Sequence, residues 1–161
     1  MTNKSNTPGR PLVISMGDPA GIGPEIIARA LRERPELRSQ VLVAGDIPSL
    51  QRAIDLTHAH SNKADKPLLL AEVGSAAAWA TAPADRLRAV QACVLPELVP
   101  FGRISAAAGR AAADCIAYAA HLVLQGGARA LVTAPVHKEA LSAAGLAHPG
   151  HTEFLQALSA E

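Results

Sequence analysis

Short apolar runs alternate with stretches of helical period along this chain, and that alternation restricts the fold more than any other feature. Leu12-Val13-Ile14 reads as a buried strand and is followed by a Gly/Pro loop over 17–24. A helix is predicted over 24–34, with Pro24 in its first turn, where the missing N–H costs nothing. Ile26, Ile27, Ala30 and Leu31 form its apolar stripe, and Pro35 stops it. A second strand, Val41-Leu42-Val43-Ala44, ends at Gly45-Asp46, and a helix is predicted over 49–56. A polar loop over 58–66 leads to a third strand, Leu68-Leu69-Leu70. The Ala-rich segment 75–100, broken by Pro83, Pro96 and Pro100, gives no readable element in its middle. A long helix runs over 105–125, with Ser105 as N-cap and Gly126-Gly127 as stop. Leu131-Val132-Thr133 is a strand, and 138–144 is a short helix closed by Gly145. A loop at 148–150 precedes a last helix that Thr152 begins and caps, with Phe154, Leu155 and Leu158 on one face. Strand-helix repetition of this kind predicts an α/β protein, a three-layer α/β/α arrangement with a mostly parallel sheet.

The chain's 161 residues suit one domain with a real core. Fifteen Lys and Arg against 14 Asp and Glu leave a net charge of +1, which argues against a nucleic-acid surface. Aromatic residues make up 2%, too few for base stacking. No apolar run reaches the roughly 18 residues of a membrane span, and the polar start is no signal peptide. We therefore expect a cytoplasmic protein without nucleic-acid or membrane partners. Residues 1–9 read as a disordered lead. Cys93 and Cys115 form no metal-ligand spacing and read as two reduced, buried thiols.

Three segments carry candidate chemistry. The first is Gly17-Asp18-Pro19-Ala20-Gly21-Ile22-Gly23-Pro24-Glu25, between strand and helix. Gly21 and Gly23 let backbone approach a ligand, the helix start offers free N–H groups to an anion, and Asp18 joins the candidate pocket. It is neither a dinucleotide fingerprint nor a phosphate-loop motif. A tight turn explains the glycines equally well. The second is Thr133-Ala134-Pro135-Val136-His137-Lys138, at a strand end, where open α/β sheets place ligands. The third is Pro149-Gly150-His151-Thr152-Glu153-Phe154, which puts an imidazole and a hydroxyl at a helix start. His148 and His151 straddle a Pro-Gly loop and do not share a helix face, so no metal pair is assigned. His58 and His60 read as solvated loop residues, and His121 as a core or interface histidine.

In this order and spacing, the segments resemble the 4-hydroxythreonine-4-phosphate dehydrogenase family of vitamin B6 biosynthesis. The likeness runs from Pro11 to Phe154 and includes Ser105-Ala106-Ala107-Ala108-Gly109-Arg110. Gly21-Ile22-Gly23-Pro24-Glu25 also resembles the start of isocitrate and isopropylmalate dehydrogenases, which share the family's fold. The resemblance implies a homodimer that binds NAD or NADP, a divalent metal (zinc, magnesium or cobalt) and a phosphorylated small-molecule substrate. It implies oxidation and decarboxylation of 4-phosphooxy-threonine to 3-amino-2-oxopropyl phosphate, with His151 and Thr152 binding substrate. His137, Lys138, Asp18, Gly21 and Gly23 are the further pocket candidates. The family's three metal-binding histidines lie beyond the Gly-His-Thr motif, so none is carried over to this chain. Residues 10–161 are accordingly expected to be the N-terminal α/β portion of a longer two-domain dehydrogenase, inactive alone. The alternatives are a sister dehydrogenase of a phosphorylated sugar acid (threonate or erythronate) and a non-catalytic truncated remnant.

Overall fold

The computed structural model describes residues 9–61, 66–146 and 150–160. Residues 1–8 of the expected lead over 1–9, most of the loop after His60, and His148 with Pro149 lie outside the described residues. Among the described residues five strands form one sheet: β1 (Leu12–Ser15), β2 (Val41–Gly45), β3 (Leu70–Glu72), β4 (Leu87–Gln91) and β5 (Ala130–Thr133). Their order is β3-β4-β2-β1-β5, and every pairing is parallel. Among the described residues five α-helices accompany them: α1 (Gly23–Glu33), α2 (Ile47–Ala59), α3 (Ala106–Leu124), α4 (Lys138–Ala143) and α5 (His151–Ser159).

The two faces of the sheet follow the two-residue period of β2. Val41 and Val43 pack with Ile27, Ala28 and Leu31 of α1 and Leu50, Ala53 and Ile54 of α2. Leu42 and Ala44 turn the other way, with Val13, Val90 and Ala119 of α3. All five β2 residues are buried, as a parallel strand covered on both faces requires.

The structure corrects several expectations. β4 lies in the stretch that was unreadable from sequence, and it pairs with both β2 and β3. Arg88 hid it by interrupting the apolar run. This arginine is 4% exposed. Its Nη1 donates to the Trp79 carbonyl at 3.0 Å and its Nε to that of Pro83 at 3.1 Å, so its polar end is satisfied inside. The third strand is displaced from 68–70 to Leu70–Glu72, because pairing to β4 sets its register. In α1, Ile26 and Ala30 face outward, and the buried stripe is Ile27, Ala28 and Leu31. α2 extends beyond 49–56 in both directions. Asp46 caps it, accepting from the Ser49 N–H at 3.0 Å, and His58 is a half-buried helical residue rather than a loop one. His121 is exposed on α3, because the turn's buried positions fall to Ala119 and Ala120. Thr152 does not cap α5: Gly150 is the N-cap and His151 the first helical residue. Ser105 does cap α3, accepting from the Ala108 N–H at 3.2 Å.

Candidate functional site

The sheet changes direction of winding at β1. The chain leaves β1 for α1 on one face, while β5, on β1's other side, leads to α4, which packs on α3 across the opposite face. In open α/β sheets such a divergence is where ligands bind, at the C-terminal ends of the strands. The two loops that leave β1 and β5 are the first and second candidate segments.

These loops interlock through backbone. The Asp18 N–H donates to the Pro135 carbonyl at 3.0 Å. Gly17 has φ +77°, and a side chain on it would overlap the same carbonyl oxygen. A Cβ on Gly23 would lie 2.5 Å from the Met16 carbonyl oxygen and 3.3 Å from the Ala134 methyl. Gly17 and Gly23 are therefore required by close packing. Gly21 is less confined, its nearest neighbour being Asp18 at 3.4 Å. Asp18 is buried, and its Oδ1 accepts from the Ala20 N–H at 2.8 Å, so its carboxylate stiffens the turn.

The second and third segments also meet. Gly150 is buried at the start of α5, and a Cβ there would lie 3.8 Å from the Lys138 Cε. His137, Lys138, His151 and Thr152 are all exposed. Thr152 lines a groove of about 550 Å³ with Ala120, Val123 and Leu124 of α3, Leu131 of β5 and Leu155. That groove is mostly apolar. A second hollow of about 320 Å³ lies between the 95–100 segment and the start of α3, and includes Leu95, Val99, Arg103 and Ser105. Ser105 and Ala107 of the Ser105–Arg110 stretch line it, whereas Asp18, Gly21, Gly23, His137, Lys138, His151 and Thr152 do not.

Cys93 and Cys115 are buried and free, with the Cys115 Sγ donating to the Cys93 Sγ at 3.4 Å. That contact and burial push the Cys115 thiol well above its ordinary value. Among the described residues no three of His, Cys, Asp and Glu converge, so these residues do not form a metal centre by themselves. No helix among them is long and apolar enough to cross a membrane. Sequence reasoning missed Arg52 and Phe101, which stack at 4.0 Å beside the first candidate loop.

Comparison with known proteins agrees with this architecture. A 4-hydroxythreonine-4-phosphate dehydrogenase of Beijerinckia indica is 43% identical over 145 residues, 90% of this chain and 40% of the relative. A D-threonate 4-phosphate dehydrogenase of Salmonella typhimurium is 36% identical over 148 residues, 92% of this chain and 43% of the relative. The crystal structure of 4-hydroxythreonine-4-phosphate dehydrogenase from Klebsiella pneumoniae superposes with a TM-score of 0.80 at 35% identity, covering 96% of this chain and 45% of that one. The chain thus spans less than half the length of these relatives, which are named as dehydrogenases. The family model of the pyridoxal phosphate biosynthetic protein PdxA matches residues 36–161, and the chain belongs to that family.

Proposed function

We propose that this chain is the N-terminal α/β portion of a cytoplasmic, homodimeric, NAD- or NADP-dependent dehydrogenase of 4-phosphooxy-threonine. The observation that carries this reading is the convergence at the β1/β5 divergence: the 17–23 loop locks against Pro135, and Gly150 lies beside Lys138. An exposed ammonium, two exposed imidazoles and the amide ends of α1 and α5 suit an anionic phosphoryl group.

In this reading Lys138 and His151 bind the substrate's phosphate, Thr152 hydrogen-bonds the substrate, and the 17–23 backbone packs along it. A bound nicotinamide would supply the hydride acceptor for the substrate's carbinol carbon, and the residues named here would hold the substrate for it. The described residues lack the donor set of a metal centre, so the chain alone binds divalent metal weakly and does not turn substrate over. D-Threonate 4-phosphate is the second candidate substrate, because relatives of both names align over nearly the whole chain.

The test is an amide NMR titration of the 161-residue chain with 4-phosphooxy-threonine and with D-threonate 4-phosphate. Shifts concentrated at Gly21, Gly23, Lys138 and His151 are expected, larger for the preferred substrate. Shifts elsewhere, or none, overturn the assignment. NAD reduction by the chain at an enzyme-like rate would overturn its inactivity alone.

A further inference from the structure

The 17–23 loop is tied down from a direction that its own sequence does not reveal. Arg52 sits on α2, one position off the face that Leu50, Ala53 and Ile54 bury against the sheet. Its Nη1 donates to the Val99 carbonyl at 2.7 Å and its Nη2 to the Pro19 carbonyl at 2.9 Å. The guanidinium lies over the Phe101 ring, 4.0 Å from its centre. Beside it the Gly102 N–H donates to the Ala20 carbonyl at 2.7 Å, at a turn where Gly102 has φ +70°. Ala20, Val99 and Ala108 close into a small buried cluster beneath. One side chain thus joins segments 33 and 47 residues away from it.

We propose that Arg52 is a positioning residue: it holds the 17–23 loop in its ligand-facing shape by clamping it to the 99–102 turn. The proposal rests on the reading that this loop lines the substrate pocket. Both acceptors are loop carbonyls. A guanidinium presents two N–H groups in a rigid planar fork and stacks flat on an aromatic ring, whereas an ammonium is a point donor on a flexible stem. Partial burial lowers the Arg52 pKa, and the charges of Asp46 and Glu25 oppose that. Because the apolar face of α2 does not include Arg52, its loss leaves the helix seated and frees only the loops.

Hydrogen–deuterium exchange on the 161-residue chain tests this, comparing wild type with Arg52→Met, Arg52→Lys and the surface control Arg34→Met. In both Arg52 variants, exchange should accelerate on the order of tenfold in peptides covering 17–23 and 98–103, with β2 and α3 unchanged. Uniform acceleration that tracks a lower Tm would reduce Arg52 to a structural role and overturn the proposal. So would unchanged loops, or full rescue by Arg52→Lys, which keeps the charge without the fork. The ligand side is read with 4-phosphooxy-threonine. In wild type it should shift the Gly21 and Gly23 amides, and Arg52→Met should weaken that response; an equal response would overturn positioning. If wild type itself gives no shift there, the pocket reading fails, and the exchange data still decide the clamp.

Discussion

Gly109 of α3 faces the carbonyl of Ala140 in α4 so closely that a methyl group on Gly109 would overlap its oxygen and crowd the Leu141 N–H at 2.9 Å. Backbone meets backbone there, and the seam is sealed by Ala112, Ala113 and Leu141. Through it, the longest helix fixes the short helix that begins with Lys138. In an open helix Gly→Ala would be favourable by up to about 1 kcal/mol. Here Gly109→Ala should instead destabilise by about 1–3 kcal/mol, the usual range for overpacking. The urea midpoint checks the sign: a midpoint at or above wild type would mean that the helices separate freely.

The candidate loops make a graded prediction about glycine. Gly17 combines φ +77° with contact to Pro135, and Gly23 abuts the Met16 carbonyl. Both should lose stability on change to Ala by about 1–3 kcal/mol. Gly150 is different, because its φ of −167° is open to any residue. An added methyl meets only the Glu153 carboxylate at 3.1 Å and the Lys138 stem, both ends of flexible side chains. Gly150→Ala should stay within about 0.5 kcal/mol of wild type. Calorimetric Tm values for the three variants separate these cases, and equal losses would contradict the geometry.

Where the chain obeyed a period, its fold was legible. β2 is an uninterrupted apolar run, and α3 carries a Ser cap at one end and Gly126, with φ +75°, at the other. β4 was illegible because burial of Arg88 depends on the carbonyls of Trp79 and Pro83, which lie nine and five residues away and come close only after folding. Ile26 and Ala30 misled because a helix with apolar residues on adjacent faces leaves its rotation undetermined until α2 packs on it. The glycine loop and the segment at His137 were legible as motifs at strand ends. The Arg52–Phe101 stack was not, since an arginine within a helix and a phenylalanine in a Pro-rich stretch carry no local signal.

The Cys115 thiol and the Tyr118 hydroxyl set an alkaline limit. Cys115 is held above its ordinary value of 9.0 by its contact with Cys93 and by burial, and Tyr118 above 10.0 by burial. Each group stays protonated in the folded chain at a pH where the unfolded chain already releases its proton. Stability contributed by the neutral forms is therefore full below the ordinary values and falls as pH rises through them toward the folded ones. These two groups should leave urea midpoints unchanged between about pH 7 and 8.5 and lower them above it. In the same way a thiol reagent at mildly alkaline pH should modify neither cysteine in the native chain and both in denaturant. Rapid native labelling would show that the pair is accessible.

Lys138 and His151 bear on the proposed chemistry most directly, because they differ from Thr152 in surroundings. Lys138 runs beside Gly150, at the junction of α4 and α5, whereas Thr152 lines the largely apolar groove against α3 and β5. A charge-assisted hydrogen bond to phosphate is worth about 1.5–3 kcal/mol, so its loss weakens binding roughly ten- to a hundred-fold. Lys138→Ala and His151→Ala should each lower affinity for 4-phosphooxy-threonine by that factor while leaving Tm nearly unchanged, since both side chains are exposed. Thr152→Val tests the third proposed contact by exchanging a hydroxyl for a methyl of similar shape in a groove that accepts apolar groups. If Thr152 hydrogen-bonds the substrate, affinity should fall by about 0.5–1.5 kcal/mol with Tm held or raised. If its hydroxyl only borders the groove, affinity stays at the wild-type value. Calorimetric titration of the three variants decides among them. Wild-type affinity in both Lys138→Ala and His151→Ala would remove the phosphate from this corner of the sheet.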